Sequence, residues 1–239
     1  MHNPLKIHHH PETKRLDAFA KGLCDKTESI LLQVHLHYCS ECQAYVERQK
    51  APLGAEYEAS DDSPRMLKRD LLFEKILSKL DKKESYGESE KYALPRVVAS
   101  ELPKPSSWKW LSFWPSKGKV AKLASDINGP YELFIGRLEE HYHSPSHTHL
   151  YEEQTVPLSG VYVSGKERFL CGDWSEAQKG EGHSPSSIEG GDCICLIRVH
   201  KSGYRFTGLS FWRNGLLYPS RFVGWLMQYV NRKYMGVIG

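Results

Sequence analysis

The hydrophobic pattern changes its period partway along the chain, and that change constrains the fold more than any other feature. In the first third, apolar residues recur at helical spacing. Leu16, Phe19, Ala20 and Leu23 form one stripe, Ile30, Leu31, Val34 and Tyr38 a second, and Met66, Leu67, Phe73, Ile76, Leu77 and Leu80 a third. Beyond residue 107 the chain turns to short strand-like runs separated by Gly, Pro and Ser: GKVAKLAS, YELFIGRL, EQTVPLSGVYV, DCICLIRV and YRFTGLSFW. Residues 83–107 carry Glu, Lys and Ser with Pro95, Pro103 and Pro105, and sustain no period that could bury a face. The pattern therefore predicts an α+β chain: a small helical domain over 1–85, a linker over 86–107, and an all-β sandwich or barrel over 108–239. Phe222, Trp225, Leu226, Tyr229 and Val230 return to helical spacing after Pro219 and predict a C-terminal helix that either caps the barrel or makes a dimer. A length of 239 residues accommodates two such modules.

Within the helical part, residues 15–48 read as a hairpin broken near 22–25, followed by a mixed polar stretch over 50–62. Ser63 and Pro64 supply an N-cap and a first-turn proline for a further helix reaching about Lys82. The stripe from Met66 to Leu80 is more apolar surface than a small hairpin domain can cover, so part of it is available to a partner.

Composition narrows the chemistry. Lys plus Arg exceed Asp plus Glu by only 32 to 29, which provides no field for direct nucleic-acid binding. No run approaches the roughly 18 apolar residues of a membrane span, and the start MHNPLKIHHH lacks a secretory core, so a cytoplasmic location is expected. Six Cys are too few for a disulfide scaffold and read as ligands, core thiols or redox groups. Twelve His are roughly twice the average share, and point to metal.

The first metal signal is QVHLHYCSECQAYV. His35, Cys39 and Cys42 have H-x3-C-x2-C spacing; on one helix, at about 100° per residue, they fall within roughly 60° of each other and can converge on one ion. Two thiolates and an imidazole suit a tetrahedral Zn²⁺, which needs a fourth donor. The His8–His10 run can supply it, and His10, just before the first helix, is the residue chosen. His37 shares the segment but not the face. A thioredoxin-like pair would need a preceding strand and a βαβ setting, which the pattern lacks.

The second signal is SHTHLYEEQTVPLSG. His147, His149 and Glu153 have one parity, hence one face of an extended strand, while Glu152 points away. His183 in GEGHSP completes a His3Glu set in a barrel mouth. The spacing resembles the first metal-binding motif of the cupin barrels, except that His141 stands where a glycine is usual. His183 lacks the usual proline and asparagine companions of the second motif. His141 and His143 share the parity but have no carboxylate at the right offset. Cys193 and Cys195 lie on one strand face and read as core thiols or redox partners; Cys24 and Cys171 are taken as structural, and Trp108, Trp110 and Trp114 as an aromatic edge. There is no G-x4-G-K-[ST] phosphate loop and no G-x-S-x-G elbow, which sets aside nucleotide-phosphate and hydrolase-elbow chemistry.

The order of these motifs resembles the ChrR-type anti-sigma factors over almost the full length. HHHPETKRLDAFAKGLC is similar to the family's first helix, HLHYCSEC to its zinc-binding helix, FEKILSKLDKK to a later helix, and SHTHLYEEQT with GHSPSSIEGGDCICL to its cupin core. The resemblance implies a zinc-stapled anti-sigma domain followed by a cupin, or double-stranded β-helix, barrel. It implies Zn²⁺ on His10, His35, Cys39 and Cys42, and a second Zn²⁺ on His147, His149, Glu153 and His183. It also implies a partner: an extracytoplasmic-function type sigma factor, wrapped by the helical module, kept from core RNA polymerase, and released through the cupin under singlet-oxygen type stress. On that reading the stripe Met66, Leu67, Phe73, Ile76, Leu77 and Leu80 is the sigma clamp. The competing expectations are a metal-dependent cupin enzyme, a dioxygenase or isomerase with an open coordination position, and a zinc-regulated adaptor for another partner.

Overall fold

A computed structural model describes residues 7–58, 92–113, 117–126, 129–188, 190–202 and 204–206. The expected helix over 64–82 with its stripe from Met66 to Leu80, Trp114, and the expected C-terminal helix lie outside the described residues.

The first helix, α1, runs Thr13–Ala20 and α2 runs Lys26–Tyr38. Asp25 caps α2: its carboxylate accepts from the Glu28 amide at 2.8 Å, which satisfies one of the helix's open N–H groups. Two features depart from expectation. His35, Cys39 and Cys42 do not share one helix, because Cys39 is extended (φ −107°, ψ 97°) and breaks the chain between α2 and α3, Ser40–Glu58. Helix α3 also continues through most of the stretch over 50–62 read as mixed and polar; its sequence QAYVERQKAPLGAEYE contains mainly good helix formers, with Pro52 and Gly54 the exceptions.

Residues 92–107, within the expected linker, carry a short helix α4, Arg96–Ala99, and a 3₁₀ turn, Pro105–Ser107. Leu94, Val98 and Leu102 are buried there in the main core, and Trp108 packs between Tyr92 and Trp110. Spaced four apart, these three residues present one apolar edge to the helical module, an edge too short to register as a periodic face.

Beyond residue 107 there are twelve described strands, all paired antiparallel. They are β1 Trp110–Phe113, β2 Gly118–Ser125, β3 Tyr131–Leu138, β4 His147–His149, β5 Glu153–Ser159, β6 Tyr162–Ser164, β7 Glu167–Phe169, β8 Ser175–Ala177, β9 Gly182–His183, β10 Ser186–Ser187, β11 Cys193–His200 and β12 Tyr204–Phe206. One six-stranded sheet has the order β1-β2-β3-β11-β5-β8; two three-stranded sheets have the orders β10-β6-β7 and β12-β4-β9. This is the expected cupin barrel.

The large sheet is buried on both faces, and the alternation of its residues assigns each side. Phe134, Gly136, Glu153, Thr155, Cys195, Ile197 and Val199 line the barrel interior. Leu133, Ile135, Val156, Leu158 and Leu196 point outward into the same core as Ile30, Leu31 and Val34 of α2. Strands covered on both sides read as near-continuous hydrophobic runs, as DCICLIRV does. The helical module is thus packed on the outer wall of the barrel.

Buried ions fasten this junction. Arg198 of β11 donates to Asp25, to Thr27 Oγ1 (3.1 Å) and to Gln154 Oε1 (2.7 Å), and its guanidinium lies over the Tyr131 ring. Asp126 accepts from both the amide and hydroxyl of Thr27, at 2.9 and 3.0 Å. Arg15 of α1 joins Glu28 of α2 at 2.6 Å to Glu152 and Glu176 of the barrel at 2.9 and 3.1 Å. A buried charge persists only when paired, and these are paired across the two modules.

Two candidate metal centres

His10, His35, Cys39 and Cys42 converge, their ligand atoms all within 4.8 Å of one another. His10 Nδ1 stands 3.4 Å from Cys39 Sγ and 3.3 Å from Cys42 Sγ. Nitrogen and sulfur bound to one tetrahedral Zn²⁺ at about 2.0 and 2.3 Å would be about 3.5 Å apart, so the spacing fits that ion. The break at Cys39 makes this possible: His35 comes from the last turn of α2, Cys39 from the kink, and Cys42 from the first turn of α3. His10 is exposed at the rim, and the other three are buried.

The cupin orients this centre. His35 Nδ1 lies 2.7 Å from the carbonyl oxygen of Gly172, which can only accept, so Nδ1 carries the proton and Nε2 presents its lone pair. His35 Nε2 is buried with no hydrogen-bond partner, as an imidazole aimed at a cation would be. Burial holds His35 down at about 4 and pushes the Cys42 thiol up to about 12. A cation among them is what would favour thiolate over thiol. Asp173 accepts from the amides of His8 and His9, and the Trp174 amide donates to His9 O, so loop 171–174 of the barrel also places the His8–His10 run. His8, His9 and the exposed His37 stay outside the group.

The second centre gathers His147, His149 and His183 inside the barrel. His149 and His183 Nε2 are 2.8 Å apart, and His183 and His147 Nε2 are 3.0 Å apart. Three nitrogens about 2.1 Å from one metal at right angles would be about 3.0 Å apart, so the three rings fit one face of an ion. Glu153 stands slightly back, 3.7 Å from His149 Nε2 and 3.8 Å from His183 Nε2. Outer partners set the rings: His147 Nδ1 donates to Pro145 O at 2.8 Å, and Ser164 Oγ is 3.0 Å from His183 Nδ1.

His147, His149 and Glu153 do not share one strand. A turn at 150–152 separates β4 from β5, and Glu153 returns to the histidines from the next strand. His183 faces His147 through the β4–β9 pairing. Burial lowers His147, lowers His149 to about 4 and His183 to about 3, and raises Glu153 to about 8. Glu152 points outward to Arg15, as parity predicts. His141 and His143 are exposed, and Cys193 and Cys195 are buried core thiols. His141 has φ +61°, a left-handed conformation that glycine adopts more readily than histidine.

Missing from the sequence reading were Gly172, Asp173, Arg15 and Arg198. Only the run CGDW, a turn between strand patterns, offered a local sign of the first two.

A helical module with a thiolate–imidazole group, docked on a cupin barrel with a three-histidine group, is the class defined by this fold. In sequence and fold the chain is ChrR-like. It is 26% identical over 198 residues to the anti-sigma-E factor ChrR of Cereibacter sphaeroides, which covers 80% of this chain and 89% of that protein. The crystal structure of Rhodobacter sphaeroides SigE in complex with the anti-sigma ChrR matches with a TM-score of 0.60 at 23% identity, over 81% of this chain and 99% of that one. An RmlC-like cupin protein from Ralstonia eutropha is a weaker likeness, with a TM-score of 0.37 at 17% identity over 41% of this chain and 66% of that one. No family model matches the chain. Among the described residues no helix is long and apolar enough to cross a membrane.

Proposed function

We propose that this chain is a zinc-binding anti-sigma factor, a regulator rather than an enzyme, that sequesters an extracytoplasmic-function type sigma factor and releases it under oxidative stress of the singlet-oxygen type. The observation that carries the reading is the convergence of His10, His35, Cys39 and Cys42 within a chain that is ChrR-like along four-fifths of its length. In the proposal these four hold a structural Zn²⁺ that fixes the angle between α2 and α3 and pins the terminal segment. His147, His149 and His183, with Glu153, hold a second metal ion, Zn²⁺ on this reading, in the barrel. The stripe Met66, Leu67, Phe73, Ile76, Leu77 and Leu80 contacts the sigma factor. A metal supplies cross-linking in the first centre and a coordination position in the second. His35 donating to Gly172 is the direct link from the first centre to the barrel.

Co-expression of the full chain with a small sigma factor encoded beside it tests this. A stoichiometric complex carrying metal at both centres is expected, together with repression of transcription from the sigma factor's promoter. A folded, metal-loaded chain that forms no such complex would overturn it and favour the cupin-enzyme or adaptor reading.

A further inference from the structure

The seam between the two modules closes around one hydroxyl. Thr27, fully buried in the first turn of α2, has three polar neighbours on its Oγ1: Arg198 Nε at 3.1 Å, Asp25 Oδ1 at 3.0 Å and Asp126 Oδ2 at 3.0 Å. A guanidinium only donates, so Arg198 occupies one lone pair of the hydroxyl. One hydrogen and one lone pair then remain for two carboxyl oxygens. The hydrogen serves one of them. The other stands at hydrogen-bonding distance from a lone pair and has to bring a proton of its own, because two bare oxygens held there would repel.

The remaining partners decide which carboxyl that is. Asp25 accepts from the Glu28 amide and from Arg198 Nη2, a set that suits a carboxylate. Asp126, just beyond β2, accepts from the Thr27 amide on Oδ1 at 2.9 Å, and among the described residues its Oδ2 meets only the Thr27 hydroxyl. Asp126 is 4% exposed, and Gly129 folds over it so closely that a Cβ there would stand 2.8 Å from Asp126 Cβ. The charged and titratable groups around it are Asp25, Arg198 of β11, Lys201 just after β11, and Tyr131 of β3. Arg198 aims its donors at Thr27, Asp25 and Gln154, and Lys201 at the main-chain oxygens of Asp126 and Gly129, so neither cation pairs with the Asp126 carboxyl. Burial and the neighbouring Asp25 accordingly push Asp126 above the usual carboxylate range, whereas Asp25, despite its burial, is held below it by the Glu28 amide and Arg198.

We propose that Asp126 keeps a proton in the folded protein and donates it from Oδ2 to Thr27 Oγ1, so that the docking of the helical module on the barrel is proton-linked and tightens as pH falls. Thr27 then accepts from Arg198 and Asp126 and donates to Asp25, and each hydrogen in the cluster has one acceptor. Asp126 belongs to the barrel, and Asp25 and Thr27 to the helical module, so loss of the proton would set two carboxylates against each other across the seam. The inference holds whether or not the helical module binds a sigma factor.

The test is chemical denaturation of the full chain and of Asp126→Asn across a pH series. The amide of the variant can donate to Thr27 Oγ1 and accept from the Thr27 N–H as the protonated carboxyl does, but it does not titrate. A carboxyl that holds its proton more tightly when folded stabilises the native state in acid, and that contribution is lost as pH rises through its native value. The ratio of folding constants, parent over variant, is therefore expected to fall as pH rises from about 4 toward 8, by up to about tenfold per pH unit, and then to level. Metal release and all other titrations are common to both chains and cancel in the ratio. A ratio that stays flat or rises with pH would overturn the proposal. If the variant does not fold, carbon-13 shifts of the parent's carboxyl groups decide: Asp126 is expected to titrate above, and Asp25 below, the value of about 3.9 for a free aspartate. Asp126 titrating at or below that value, or Asp25 above it, would overturn the proposal as well.

Discussion

The two metal-ready centres draw their ligands from different kinds of structure. In the helical centre, ligands come from a terminal segment, a helix end, a kink and a helix start, and His10 lies at an exposed rim. In the barrel centre, three buried histidines project from short strands already fixed by ladder pairing, β4 against both β9 and β12. The first set is oriented by the barrel through Gly172 and Asp173, but an ion is what would tie His10, Cys39 and Cys42 to one another across three separate segments, so metal there reinforces structure. The second is held by the barrel whether or not an ion is bound, so metal there can come, go or change its ligands without unfolding its host. A structural centre beside a responsive one is a division suited to a clamp and a sensor.

The largest effect that would break this contrast concerns the helical centre. Cys42→Ala should remove one metal equivalent and release His10 from the α2–α3 junction, with apparent metal affinity at that centre falling at least about 100-fold. Metal analysis and protease sensitivity of the first ten residues would show it. A variant that keeps two equivalents contradicts the centre's ligand set.

Next in size is the junction. Arg198→Ala leaves the half-buried Asp25 without its guanidinium partner and the buried Gln154 Oε1 without its donor, and about 2–4 kcal/mol of stability should be lost in chemical denaturation. Asp126 is already pushed above the usual carboxylate range by burial and by Asp25 beside it. A loss below about 1 kcal/mol would mean that the modules are not locked by this network.

Gly172→Ala sharpens the link between the centres. At φ +87° a Cβ would sit 2.4 Å from Tyr38 Cβ, so the loop must move and its carbonyl with it. Losing the acceptor of His35 Nδ1 should weaken metal at the helical centre about 10-fold while leaving the barrel centre unaltered. Equal weakening at both, measured by competition with a chelator, would contradict separate roles.

Acid has the smallest effect, and only the barrel centre carries a group of opposite sign. His35, at about 4 in the folded chain against 6.5 when free, contributes stability that is complete above about pH 6.5 and is lost as pH falls toward 4. In the barrel, His147, His149 and His183 act in the same sense, but Glu153, raised to about 8, acts oppositely: it favours the folded state more as pH falls from 8 toward 4.5. Metal-free Glu153→Gln, which lacks that opposing group, should therefore lose more stability than the metal-free parent on going from about pH 7 to about 5, read by chemical denaturation. An equal or smaller loss would contradict the assignment.

Much of the site was legible because it depends on local spacing. His35, Cys39 and Cys42, and likewise His147 and His149, are legible from donor chemistry and a few residues' separation, whereas His10, 29 positions from Cys39, and His183, 34 positions from His149, are reached only by asking what would complete each donor set. The kink at Cys39 was not, since helical periodicity continues across it and only the tertiary fit of two thiols and a histidine favours the break. The turn before Glu153 escaped for a similar reason: parity survives a three-residue loop. The burial of Leu94, Val98 and Leu102, and the pairing of Arg198 with Asp25 across 173 positions, depend on where α2 lands on the sheet. Nothing within a short window records that.

On the function proposed, the helical centre builds the sigma-binding clamp and the barrel centre does not. The affinity of the full chain for its adjacent sigma factor, with Cys39→Ser and with His147→Ala, separates the two roles. Cys39→Ser should abolish binding, while His147→Ala should bind at wild-type affinity and fail to release under singlet oxygen. A full-affinity complex from Cys39→Ser, or normal release from His147→Ala, would contradict it.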